Sequence, residues 1–391
     1  MVGTQRQRHR LYSSLGYSDD WTFLIISYET FREDIQNLQL LDNYKKLDFC
    51  VFDEAHKIKN PRSKIGTVIH RIPFTYRYVL TATPLPNSPL EAYNYLYFGK
   101  VINMNWYQFE NRYAIKGGYG GKEIVGYKNI RELKKLIQDN MLRRRKEDKL
   151  KELPEITFKT VPVTMTPAQQ RVYNAVKQEI LEDLKDTSLK KVPNALAKLM
   201  RLQQVTGSLD LIGAKPSKSN SSKLLALDDL LESLIESKEK VIVFSKFKEM
   251  VNILEERYKD YNPAVIHGDV DANGRTKTAA ERYLKNQYGD QWYKLSLEKR
   301  QALIEEAMVS ERQKEVYKFQ NDDSCKLFIG CTPACREGLT LTKATHVIFI
   351  DFEWSHAYLE QAYSRAHRIG QRNAVTVYFL VCQGTIDEHI L

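Results

Sequence analysis

The chain has 391 residues, 42% of them hydrophobic and 28% charged, which is the composition of a soluble globular protein long enough for two or three domains. Lys and Arg exceed Asp and Glu by 59 to 49, a net charge of +10 that suits a polyanionic partner, nucleic acid before membrane. No apolar run approaches membrane-spanning length, and the polar, basic opening does not read as a signal peptide, so no membrane partner is expected. Five cysteines, an odd number, place the protein in a reducing intracellular compartment: a prokaryotic or virus-infected cytoplasm, or a nucleus. Cys325, Cys331 and Cys335 cluster without a common zinc spacing and read as buried small hydrophobes.

In chain order, residues 22–26 form a short apolar run read as a strand, followed by a helical stretch to 43. Residues 47–52 read as a second buried strand and 78–81 as a third. Short apolar strands separated by helical stretches imply a parallel sheet covered on two faces. After Pro89 the pattern is helical and aromatic through 109, and 117–127 reads as a glycine-rich hairpin. These elements make residues 1–140 a first, partial α/β lobe. A basic stretch opens at 141–146, and 157–163 looks extended. A helix then starts at Thr166, with Pro167 at its first position and Gln169 closing a capping box. Residues 214–222 are polar and read as a linker, so 141–221 is expected to form a basic brace, helical linker and polar loop. Alternation resumes over 222–391. A helix at 224–237 precedes strands at 241–244, 264–267, 326–329, 346–350 and 375–381, interrupted by a charged helical insertion at 271–311. The fold class is α/β.

Asp53-Glu54 closes the second strand, at the C-terminal end where parallel sheets place ligand chemistry. In phosphoryl transfer the Asp holds Mg²⁺ and the Glu orients the attacking water, while His56 two residues on reports nucleotide state to a neighbouring motif. Thr81-Ala82-Thr83-Pro84 follows the third strand; taken alone it is an ST-turn. Arg365 and Arg368, three apart, fall on one face of a helix, the placement of guanidinium groups that meet a γ-phosphate and contribute about 10³–10⁵ in rate. No Gly-Lys-Ser/Thr occurs anywhere in the sequence to grip the phosphates. The nearest run, Gly117 to Glu123, lacks the first glycine and ends in an acid.

These motifs, in this order, resemble the SWI/SNF-type double-stranded-DNA translocases of helicase superfamily two, over nearly the whole chain. Lys59-Asn60 and the run from His367 to Gln371 are the parts most specific to that family. The run from Ala334 to Thr340 looks more like the distant branch of annealing helicases and their phage and bacterial relatives. The resemblance implies two RecA-like lobes, the first incomplete at its N-terminus, and the cofactors ATP and Mg²⁺. Asp53, with Glu54 beside it, would hold the metal, and Glu54 would position water. Arg365 and Arg368 would reach the γ-phosphate, and Gly338, Gln361 and His56 would serve the nucleotide cleft. Lys57, Lys59, Asn60, Thr81, Ser245, Lys246, His267 and Trp354 would lie on or near a duplex-DNA track, with Asn87 beside the threonine motif. Arg143, Arg144 and Arg145 would brace the lobes or contact a phosphate.

The family's phosphate loop is missing from this sequence, so the resemblance implies a fragment or split subunit of a DNA-dependent ATPase. A separate polypeptide would then supply the loop. Its strand lies inside the first sheet, and each buried backbone group left unpaired costs about 1–3 kcal/mol. The first lobe is therefore expected to be marginal and the isolated chain to bind ATP poorly. The competing reading is a non-enzymatic DNA-binding module derived from a helicase. Retention of Asp53, Glu54, Arg365 and Arg368 together favours the motor.

Overall fold

The computed structural model describes residues 4–391 except 16–22, 45, 86–87, 122, 186–191, 216, 271–276, 290 and 336–337. Two units divide the chain, Met1–Arg145 and Lys146–Leu391.

Side-chain alternation decides what the first unit buries. β1 (Phe49–Phe52) pairs in parallel with β2 (Tyr76–Val79), and the ladder runs on where Leu80 N–H donates to Phe52 O at 2.8 Å and Ala55 N–H to Leu80 O at 2.9 Å. Phe52, with Cys50 beside it, points into a core built from Phe31, Ile35, Leu38, Ile58, Ile69 and Phe98. The alternate residues point the other way. Phe49, Val51, Tyr76 and Tyr78 are 51–60% exposed, and Phe49 stacks on Tyr76 at 4.5 Å. The sheet expected to be covered on two faces is thus covered on one among the described residues.

The run expected as the first strand is not one. Residues 23–27 take no regular structure, and Phe23 and Ile25 are 91% and 83% exposed. Apolar composition asks for cover, but a strand also needs a neighbour to bond. Among the described residues no strand pairs with this run.

The helical stretch after it is real but broken. The helix Tyr28–Glu33 starts where Ser27 Oγ accepts from Thr30 N–H, and Ile35–Tyr44 continues beyond Asp34. Asp34 is buried and takes Arg8 Nη2 at 2.9 Å and Tyr12 O–H at 3.0 Å, which docks the helix Gln5–Leu15. The Arg8 bond holds its carboxyl below the usual carboxylate range. A second core gathers Tyr93, Leu96, Phe109, Tyr113 and Leu133. The glycine-rich segment is the antiparallel hairpin β3 (Ala114–Gly117) and β4 (Glu123–Tyr127), as expected.

The second unit holds six strands: β5 (Ile156–Val163), β6 (Val241–Ser245), β7 (Ala264–Ile266), β8 (Leu327–Cys331), β9 (His346–Phe349) and β10 (Val375–Cys382). They form one sheet in the order β5-β10-β9-β6-β8-β7, parallel throughout. Every residue of β6 and β8 is buried, which explains their unbroken apolar sequence. Separate hydrophobic clusters, around Val243 and around Phe244, line the two faces.

The segment expected as a separate brace and linker, 141–221, is mostly part of this unit. β5 pairs with β10 over eight residues, from Ile156↔Val375 to Val163↔Cys382. Met165, Tyr173, Val176 and Leu202 enter the core beneath it. The polar stretch at 214–222 is not a free linker either. Asn220 Nδ2 donates to Asp210 Oδ1 at 2.5 Å and to Lys215 O at 2.8 Å, and Ser221 caps the helix Ser222–Glu236 through Leu224 N–H. Polar composition here marks a capping loop whose hydrogen bonds are made within the protein. The described part of the insertion is helical: Lys277–Tyr288, Gln291–Lys294 and Leu297–Met308 pack around Trp292, which is 1% exposed.

Candidate functional site

In the first unit the strand end shapes the acidic pair. Ala55 N–H continues the ladder while Glu54 takes a left-handed conformation, φ 49° and ψ 47°, an uncommon one for a residue with a Cβ. Asp53 stays exposed, its Oδ1 accepting from Glu54 N–H at 2.9 Å. Glu54 Oε2 lies 3.2 Å from His56 Nδ1, in ion-pair range but not aligned as a hydrogen bond, and neither atom has another hydrogen-bond partner among the described residues. Tyr28 O–H donates to Asp53 O at 2.6 Å and its ring stacks on Phe52 at 5.7 Å. Burial first, then the Asp53 charge, pushes the Tyr28 phenol up, so it remains a donor.

Asp53, Glu54 and His56 are therefore brought together. Thr81 joins them, since it follows Leu80, whose carbonyl takes Ala55 N–H. Its Oγ1 accepts from Thr83 N–H at 3.2 Å, so the segment is an ST-turn as well as a neighbour of the pair. Lys57 is exposed, its Nζ 5.7 Å from the Tyr28 ring centroid. Lys59 is committed to Glu91 at 2.7 Å, and Asn60 Oδ1 accepts from Arg62 N–H at 2.9 Å. Asn87 lies outside the described residues. Arg143, Arg144 and Arg145 are exposed at the end of the first unit.

The donor set fits a divalent cation. Two adjacent carboxylates, one open to solvent and one with a shielded oxygen lacking a hydrogen bond, are hard oxygen ligands. Among the described residues no three His, Cys, Asp or Glu side chains converge on a metal. Mg²⁺ takes one or two carboxylates and leaves the rest to water and phosphate.

In the second unit the arginine motif is not helical throughout. The helix His356–Tyr363 stops before Arg365, and bonds from Arg365 N–H to Ala362 O and from Ala366 N–H to Tyr363 O tighten the chain into turns. Gly370 follows at φ 100°, which favours glycine. The common helical face expected for the two arginines is replaced by a turn that several bonds fix. Leu341 N–H donates to Arg365 O at 2.8 Å, and Arg368 Nη1 donates to Leu339 O at 2.9 Å. This turn is thereby tied to the one at Gly338, where φ is 72°. Buried Gln371 closes the loop, donating to Ala344 O at 2.8 Å and accepting from Arg372 and Asn373 N–H. His367 reaches Pro154 O at 2.8 Å. Gln361 Nε2 is shielded and has no partner among the described residues.

Of the residues expected on a DNA track, Ser245 is off the surface and half-buried Lys246 is engaged within the protein. Ser245 is wholly buried, and its hydroxyl donates to Asp351 Oδ2 at 2.5 Å. Lys246 gives its backbone N–H to Asp351 Oδ1 at 2.6 Å and its Nζ to Gln203 Oε1 at 2.6 Å. Burial pushes the Lys246 ammonium down and the Asp351 carboxyl up to about 6. Trp354, 51% exposed, and half-buried His267 remain accessible. The sequence reading missed Tyr28, Gln203 and Asp351. Asp351 had a signal: a carboxylate just past an apolar parallel strand, the pattern that singled out Asp53.

Cys325, Cys331 and Cys335 are buried free thiols, and burial pushes Cys331 to about 11. No helix of the described residues is long and apolar enough to cross a membrane.

A strand-end acidic pair on one parallel α/β unit, and an arginine turn bonded to a glycine turn on another, are the layout of a helicase-like protein. The SNF2-related domain model matches residues 1–211 and the helicase conserved C-terminal domain model residues 290–370. The chain belongs to the SNF2-related family. It is similar to Protein CHROMATIN REMODELING 4 of Arabidopsis thaliana, 28% identical over 94% of this chain and 15% of that protein. It is also similar to an uncharacterized ATP-dependent helicase of Mycoplasma genitalium, 27% identical over 99% of this chain and 33% of that protein. The chain thus spans a third or less of these two relatives. Among solved structures, the Sulfolobus solfataricus SWI2/SNF2 ATPase core in complex with dsDNA is 24% identical with a TM-score of 0.45, covering 93% of this chain and 68% of that one.

Proposed function

We propose that this chain carries the hydrolytic half of a DNA-dependent ATPase that moves on duplex DNA, and that a Gly-Lys-Ser/Thr segment from elsewhere completes its nucleotide site. The observation that carries the reading is the acidic pair, with Glu54 held at φ 49° beside His56 in a chain of the SNF2-related family. Asp53 and Glu54 would hold Mg²⁺, which when bound neutralises charge on the phosphates. Glu54 orients the attacking water through its shielded oxygen. Arg365 and Arg368 stabilise charge on the γ-phosphate, positioned by Leu341 and Leu339. Tyr28 holds the backbone of Asp53. The bare aromatic face of β1 and β2 is where the completing segment, in the same polypeptide or a separate one, would find cover to give. The excess of basic residues and exposed Lys57 and Trp354 favour DNA as the polyanion.

The test joins the phosphate-loop segment to this chain and measures ATP hydrolysis with and without duplex DNA. DNA-stimulated hydrolysis that Glu54→Gln abolishes is the expected result. No hydrolysis from the completed protein would leave a DNA-binding module in its place. The chain by itself is expected to bind ATP weakly, and micromolar affinity in a titration with labelled nucleotide would overturn that expectation.

A further inference from the structure

Lys146 is the first residue of the second unit and continues the exposed run of Arg143 to Arg145, but its side chain is held in place. Nζ donates to Ser364 Oγ at 2.6 Å. Ser364 caps the helix His356–Tyr363 and directly precedes Arg365. The position is fixed from a second side, because His367 in the same turn takes up Pro154 O, eight residues along the chain from Lys146. Three cations therefore converge on one turn. Burial lowers the affinity of Lys146 for its proton; Glu360 opposes it, and Arg365 and then Arg368 add to the lowering. An ammonium held next to two guanidinium groups favours an anion that bridges them. One turn back, Gln361 offers a shielded Nε2 donor with no partner among the described residues.

We infer that Lys146, Arg365 and Arg368 form one phosphate-binding cradle on the second unit, with Lys146 a direct ligand of a phosphate oxygen. This rests on the proposed role of the two arginines and adds to it a third cation, contributed by the chain's entry into the unit. The anion is a phosphate group, from the end of a nucleotide or from a DNA backbone. An ammonium is a point charge that follows a phosphate through its rotatable donors, whereas the two guanidinium forks fix its plane.

The probe is inorganic triphosphate, titrated into the full chain and followed by phosphorus NMR. Lys146→Gln is expected to weaken binding about tenfold and Lys146→Arg to retain it within about twofold, the effect of a charge-assisted bond. Unchanged affinity in Lys146→Gln, with loss in Arg365→Gln, overturns the role of Lys146. Should Lys146→Gln loosen the turn, a second measurement decides on the unsubstituted protein. Lysines carrying labelled methyl groups report each ammonium by carbon NMR, and Lys146→Arg assigns the signal. Triphosphate should raise the pKa of Lys146, and no shift at saturating triphosphate overturns the inference. Short duplex DNA that displaces triphosphate identifies the DNA backbone as the source, and failure to displace identifies nucleotide. A completed protein that hydrolyses no ATP would refute the motor and leave this titration standing.

Discussion

Lys223 Nζ lies 2.7 Å from Asp387 Oδ2, and neither side chain reaches solvent. Each partner is further satisfied: Lys223 donates to Ile350 O at 2.7 Å, and Asp387 accepts from Thr206 Oγ1 at 3.0 Å and Cys382 N–H at 3.1 Å. The pair joins the first turn of the helix Ser222–Glu236 to the last helix of the second unit, Ile386–Ile390. Lys223→Met leaves a carboxylate buried without its cation and is expected to destabilise the unit by about 3–5 kcal/mol in urea unfolding.

Asp351 makes the stability of the second unit depend on pH in a definite direction. Burial raises its carboxyl from 3.8 to about 6, so the folded protein holds the proton more tightly than the unfolded chain. Its contribution is complete below pH 3.8 and is lost as pH rises to about 6. The loss is about 2–3 kcal/mol. Asp351→Asn should remove that component. The check is the difference between the unfolding free energies of the two proteins measured across this range.

Ser245 and Lys57 separate positioning from contact. Ser245→Ala removes a hydroxyl from a buried carboxylate and is expected to cost about 1–3 kcal/mol of stability. It should leave the salt dependence of duplex binding unchanged. Lys57→Gln should leave stability unchanged and reduce the slope of log affinity against log salt by about one. Binding titrations at several salt concentrations tell the two apart.

The bare sheet face predicts self-association. Phe49 and Tyr78 stand 60% and 51% exposed beside Val51 and Tyr76, a contiguous apolar patch. Phe49→Thr with Tyr78→Thr is expected to lower light scattering of the isolated chain. Stability should fall by about 1–3 kcal/mol, the contribution of the stacks of Phe49 on Tyr76 and on Tyr78.

The sheets were legible where burial on two faces leaves an unbroken apolar run, as in β6 and β8. β5 looks extended from its sequence but falls in the span expected as a brace and linker. With Thr157, Lys159 and Thr160 among its residues it reads as half-polar, and only its register with β10 shows that it belongs to the sheet. The run at 22–26 erred the other way, because hydrophobicity does not reveal whether a neighbouring strand exists. At the site, Asp53, Glu54 and the two arginines stood out by residue type and order. Asp351 and Gln203 act through Ser245 and Lys246 across long sequence separations, and spacing along the chain carries no trace of such contacts. The turn at Arg365 was hidden as well, since Gln361 to Ala366 has ordinary helix formers and the stop comes from bonds to Leu339 and Leu341.

The pairing of β5 with β10 joins the first strand of the second unit to its last. A sheet with its first strand at one edge beside its last cannot be finished until that last strand is made. During synthesis β5 emerges early and waits, its ladder edge uncovered, until Cys382 has left the ribosome. The same long-range closure gives the unit a high contact order, which slows folding relative to a sheet built of sequential neighbours. The last strand to be made is therefore the one that locks β5 into place.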